Sequence, residues 1–335
     1  MKRRGYSSGK GRSELADYTF AVAKIRELEN ELLPKAVIEQ MVTAKNEKEV
    51  LAALSSKGWE IADNHRNTDK LLTEESVNAW KTLMSLAPDS VELKGLTVLN
   101  DFHNLKAALK SLVTGTEPER LYTVPTTLEL DSLFENIREK RYYELPEYME
   151  LPAEEGYKVL AETKDGQIFD SFMDREAMKA LKSFGEESDS EMFKSYVDFL
   201  IAMTDIKIAY RGARAQKSEE FFLDSLCGSE YLDREVLAAE ASKGEQSLLS
   251  FLETSPYKDA AESLKISVTR FERFIDDGLT DITESARTES FSVDPLIAYY
   301  HAKQTEIKVV RIIMTCKQNA VEQKIIRERL RKTYV

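Results

Sequence analysis

Apolar positions recur at steps of three and four along most of this chain, the period of one face of an α-helix. Leu15, Tyr18, Val22, Ile25 and Leu32 predict a first helix that starts near Ser13 or Asp17, either of which can cap it, and stops before Pro34. Residues 35–58 read as two short helices, broken near Asn46 and ended by Gly58. After a polar loop over 60–73, a helix begins near Thr73, with Thr73 and Ser76 as capping hydroxyls. It runs to Leu86 ahead of Pro88. Long helices are predicted from Ser90 to Val113, stopped by Gly115, and from Asp189 to Lys217. Breaks fall near Pro256 and at Asp276-Asp277-Gly278. Asp294 then caps a last long helix with Pro295 in its first turn, and a basic helix runs to Val335. No stretch alternates with the period of a hairpin. The expected fold class is all-α.

Three of these helices carry one signature. Asn104-Leu105-Lys106 returns as Asp205-Ile206-Lys207 and as Glu306-Ile307-Lys308, each copy 101 residues after the last. The flanking stripe repeats too. Val98, Phe102, Leu105 and Leu109 correspond to Phe199, Met203, Ile206 and Tyr210. In the third copy Tyr300 and Ile307 keep the stripe, while Gln304 and Arg311 interrupt it. A fixed period of this length implies one module used three times. The expected organisation is a basic tail over 1–13 and helical repeat units over 14–115, 116–225 and 226–335. Such a body presents surfaces rather than a single reactive cleft.

Composition narrows the function classes. Only 13 Gly and 8 Pro occur among 335 residues, which favours long helices over strands and turns. A net charge of −12 repels phosphate backbones and argues against nucleic acid. Lys2, Arg3, Arg4, Lys10 and Arg12 nonetheless make the start basic, and acid collects at Glu144, Glu147, Glu150, Glu154 and Glu155. No apolar run reaches the length of a membrane span. The two cysteines, Cys227 and Cys316, lie in different repeats and suit reduced thiols in the cytoplasm.

Motifs that carry chemistry are weak here. Gly5, Gly9, Lys10 and Gly11 imitate a phosphate loop but lack its spacing, the following Ser or Thr and a preceding strand. His65, His103 and His301 show no metal-ligand spacing with the cysteines, and Asp276-Asp277-Gly278 lacks the alternating acids of a calcium loop. No catalytic, cofactor or metal residue is assigned. The candidates are the repeat-signature residues, as braces or as interface: Asp101, His103, Asn104, Lys106, Asp205, Lys207, Glu306 and Lys308. For the lysines two readings stand. They pair with neighbouring acids, or they occupy equivalent positions facing a central axis.

The run Asp-Phe-His-Asn-Leu-Lys over 101–106, the helix Tyr-Thr-Phe-Ala-Val-Ala-Lys-Ile-Arg over 18–26, and the C-terminal stretches 294–313 and 325–335 resemble one family. It is the C subunit of V-type ATPases and A-type ATP synthases, which corresponds to the d subunit of eukaryotic vacuolar ATPases. The likeness runs from about residue 16 to the end and is thin over 130–195. It implies three similar helical subdomains in a pseudo-threefold, funnel-like arrangement, no cofactor and no ATP hydrolysis by the chain itself. The implied partners are the central stalk subunits D and F and the membrane rotor ring (c/K-type), with the chain peripheral on the cytoplasmic face and proton or sodium transport carried by the ring. The competing readings are a soluble helical-repeat adaptor of another complex and a cytoplasmic enzyme.

Overall fold

A computed structural model describes residues 10–61, 68–115 and 122–335. The basic stretch over 1–9 lies outside them. Among the described residues there are sixteen α-helices, two short 3-10 turns and no strand; one isolated bridge joins Ser229 and Leu232. The first five helices are α1 (Lys10–Glu29), α2 (Lys35–Thr43), α3 (Glu47–Ser55), α4 (Thr68–Leu86) and α5 (Val91–Thr114). Then come α6 (Leu130–Arg138), α7 (Glu147–Thr163), α8 (Gly166–Glu187), α9 (Glu191–Arg214) and α10 (Glu219–Ser225). The rest are α11 (Arg234–Ser242), α12 (Glu245–Glu253), α13 (Lys258–Ile266), α14 (Val268–Thr283), α15 (Asp294–Gln318) and α16 (Gln323–Arg329). The all-α expectation is met, and the three signatures lie on α5, α9 and α15.

Several boundaries follow the capping chemistry. Asn46 accepts the Glu49 amide and Ser190 accepts the Phe193 amide, so both sit at the starts where their side chains offer an acceptor. Five expectations need correction. Helix α1 begins at Lys10 rather than Ser13. Helix α4 begins at Thr68, and Thr73 instead bonds back to the Asp69 carbonyl inside it, because Leu71 and Leu72 are already buried core. Asp294 is the first helical residue of α15 and Val293 occupies the cap. Asp276-Asp277-Gly278 is not a break but part of α14. The reason lies at the C-terminus. The basic helix stops at Arg329, and the chain runs on so that Arg331 pairs with Asp276 and the Lys332 amide donates to Asp277 at 2.7 Å.

The chain divides into two compact units, one of residues through Leu93 with Asp276–Val335, the other of Lys94–Ile275. In the first unit, Leu54, Leu71 and Leu72 from the early helices bury with Val310, Ile313 and Ile326 from the late ones. Trp80 of α4 meets Tyr300 of α15 edge-on at 5.5 Å between centroids. In the second unit the core centres on α9, where Met203, Ile206 and Ala209 pack with Phe222, Leu248 and Phe271. Gly212 permits α10 to lie close, since a Cβ there would strike the fully buried Phe222 ring. Gly212→Ala is expected to destabilise by about 1–3 kcal/mol through overpacking, read as a lower urea midpoint with unchanged slope.

Candidate functional site

The apolar residue of each signature triplet is buried in its helix stripe: Leu105 at 0%, Ile206 at 0% and Ile307 at 5% exposure. The polar residue before it is therefore carried inward as well, and Asn104, Asp205 and Glu306 are all buried. A buried polar group must find partners. Each of the three finds them in the backbone of a loop that leads into another set of helices.

On α5, the Asn104 side-chain oxygen accepts the Thr123 amide at 2.9 Å and its nitrogen donates to the Thr123 carbonyl at 2.9 Å. The same face continues one and two turns back. Asp101 accepts the Thr127 amide at 3.0 Å and the Tyr148 hydroxyl at 2.9 Å, Asn100 donates to the Pro125 carbonyl at 2.9 Å, and Thr97 meets Thr127 at 2.9 Å. Burial raises the Asp101 carboxyl above its ordinary range, while these bonds pull it back.

On α9, Asp205 accepts the Gly228 amide at 2.7 Å and the Cys227 amide at 3.1 Å. Burial pushes its pKa up to about 6 against those two bonds. Asp198, two turns earlier, accepts the Glu230 amide at 2.6 Å. Asp198 stands 101 residues after Thr97, so a second rung of the ladder repeats with the signature. Gly228 has φ +83, a conformation that suits glycine, which turns its amide toward Asp205.

On α15, Glu306 accepts the Leu33 amide and the Lys303 ammonium, the latter at 2.7 Å. Lys303 also reaches Glu75 of α4 at 3.1 Å and lies 4.8 Å from the centre of the Trp59 ring. Burial raises Glu306, with Lys303 opposing it. For Lys303 burial alone is lowering, and the Glu306 and Glu75 carboxylates outweigh it. The residue type at each pin matches what its loop presents. One amide with one carbonyl takes Asn and two amides take Asp, while the single Leu33 amide is met by Glu306, whose second partner, Lys303, lies on its own helix. Asn104→Asp sets a carboxylate oxygen against the Thr123 carbonyl and is expected to destabilise by about 1–3 kcal/mol in urea melts.

The third residue of each triplet turns outward. Lys106 pairs with Asp174 of α8, Lys207 with Glu272 of α14 at 2.7 Å, and Lys308 with Asp276 of α14 at 2.6 Å. These pairs are partly exposed, so each contributes modestly. His103 is exposed on α5, away from the pins. Asp101, Asn104, Asp205 and Glu306 hold backbone amides, and Lys106, Lys207 and Lys308 hold counter-charges. No cluster of metal-ligating side chains forms among the described residues. Lys303 and Glu75 escaped the sequence reading. The available signal was a lysine at the core spacing between Tyr300 and Ile307.

Similarity to known proteins extends over the same length of chain. The chain is similar to the C subunit of the V-type sodium ATPase of Enterococcus hirae, 26% identical over 317 residues that cover 92% of this chain and 97% of the relative. It is also similar to the C subunit of the A-type ATP synthase of Methanocaldococcus jannaschii, 22% identical over 352 residues covering 95% and 87% respectively. A match to the ATP synthase (C/AC39) subunit family takes in residues 21–329, which include all three pins and their lysines, and the chain belongs to that family.

Proposed function

We propose that this chain is a non-catalytic rotor component of a V-type or A-type rotary ATPase. It couples a central stalk of D and F subunits to a membrane ring of the c/K type, which moves protons or sodium. The observation that carries this reading is the end-to-end match to the C subunit of a sodium ATPase, at 97% of that relative's length. In this reading 14–115, 116–225 and 226–335 act as three similar subdomains. The protein lies on the cytoplasmic face of the membrane, held there by its partners. Among the described residues no helix is long and apolar enough to cross a membrane. A coupler transmits torque, and close-packed helices with pinned loops resist deformation. Its partners are recognised by shape and charge.

Co-purification of the tagged chain from native membranes in mild detergent tests the proposal. Recovery of a nucleotide-binding head, stalk proteins and an apolar ring protein supports it. Recovery of the chain with soluble partners only returns the adaptor reading. Lys308→Glu is expected to weaken that co-assembly while altering stability by only ~0–1 kcal/mol, because the Lys308 side chain is 47% exposed. Undiminished recovery of partners with this variant removes Lys308 from the interface.

A further inference from the structure

Three similar helices on one chain raise a pairing problem. Their apolar faces do little to tell them apart: Phe102 and Met203 hold one buried position, and Leu105, Ile206 and Ile307 hold another. Oily contacts of similar size tolerate exchange. The polar groups of the first two loops are not interchangeable. The first loop offers the amide and carbonyl of Thr123 and the second the amides of Cys227 and Gly228, while the third offers the amide of Leu33 alone, since Lys303 lies on α15 beside Glu306.

We propose that the residues at 104 and 205 form a pairing code, each matching its own loop and mismatching the other's, and so deciding which of the two loops each of these signature helices accepts. An amide in the place of Asp205 accepts one backbone amide and points its own NH2 at the other. A carboxylate in the place of Asn104 faces a carbonyl. Either wrong match buries an unpaired donor or acceptor, whereas the right match leaves none. The misassembly this guards against is docking of a signature helix of one molecule on the other helix's loop in a second molecule, a hazard of chains with repeated parts. The inference is independent of the rotary reading.

The test uses the full chain, unfolded in urea, refolded and sized by chromatography with light scattering. Asn104→Asp is compared with Asn104→Ala, Asp205→Asn with Asp205→Ala, and the double exchange Asn104→Asp/Asp205→Asn is added. The alanines remove a pin; the exchanges write the other loop's pin. If the residues are a code, the exchange variants yield about tenfold more helix-exchanged dimer than the alanines, the equilibrium shift of one mismatched buried group. The double variant yields the most. If exchange and alanine variants give equal dimer fractions, raised or not, the pins are loop anchors without pairing information and the proposal is wrong. Should the Asp205 variants fail to refold, the Asn104 pair makes the same comparison alone.

Discussion

Replacing Lys303 with methionine lowers the stability of the first unit by about 3–5 kcal/mol, the largest single-site effect expected in this protein. Methionine fits the space of the lysine stem, so packing is nearly conserved. What is lost is the ammonium between Glu306 and Glu75, 2.7 Å from one and 3.1 Å from the other. Lys303 is 8% exposed and Glu306 4%, so water cannot take over its role. Two carboxylates are left facing each other with the Leu33 amide as sole counterweight. Adding Glu75→Gln and Glu306→Gln removes both orphaned charges and is expected to recover most of the loss, since neutral groups replace a buried ion network at little net penalty. Urea melts of the single and triple variants decide the matter. A single variant within 1 kcal/mol of the parent, on the order of ordinary surface changes, refutes the account.

Acidification is expected to act in opposite directions on the two units. Asp205 sits in the second unit with its pKa raised by burial to about 6, against about 3.9 in an unfolded chain. A raised acid favours the folded state below its unfolded pKa, and that advantage fades as pH rises through about 6. Between pH 7 and 4 it strengthens the second unit by up to ~3 kcal/mol. His301 sits in the first unit, its ring 3.0 Å from the Thr280 hydroxyl. Burial lowers its pKa to about 4, with Asp276 raising it and Lys308 lowering it further. Unfolded histidine titrates near ~6.5, so here stability is present above that value and is lost as pH falls toward 4, again by up to ~3 kcal/mol. The two effects oppose each other, and a whole-protein melt hides them. Hydrogen exchange corrected for intrinsic rate separates them: protection falls along α15 and rises around Cys227 and Gly228. His301→Gln flattens the first trend and Asp205→Asn the second. Parallel loss of protection in both units contradicts this assignment.

The helices were legible because their apolar stripes have the helical period and because Asn46, Gly58, Pro88 and Gly115 punctuate them. The start of α4 and the interior of α14 show the limits. Thr68-Asp69-Lys70 looks like loop until Leu71 and Leu72 are known to be core. Asp276-Asp277-Gly278 looks like a break until Arg331 and Lys332 arrive from the chain end to hold its acids. The signature residues were found by their spacing, but what they hold was not. Asn104, Asp205 and Glu306 bind backbone amides, and a backbone amide has no identity in a sequence. The acids opposite Lys106 and Lys207 lie 68 and 65 residues further on, and the acid opposite Lys308 lies 32 residues before it, so no common period reveals them.

The first unit is made from both ends of the chain, and this orders its birth. The second unit is one continuous stretch, Lys94–Ile275, and the core around α9 lies wholly within it. Helices α1 to α4 are made before it but must wait. Leu54, Leu71 and Leu72 lack their cover until Val310 and Ile313 leave the ribosome, and Leu33 lacks its acceptor until Glu306 does. From the synthesis of α4 until that of α15, helices α1 to α4 carry an unmet apolar face, the condition under which chaperones and neighbouring chains compete for a nascent protein. A message cut short before α15 leaves that face open permanently.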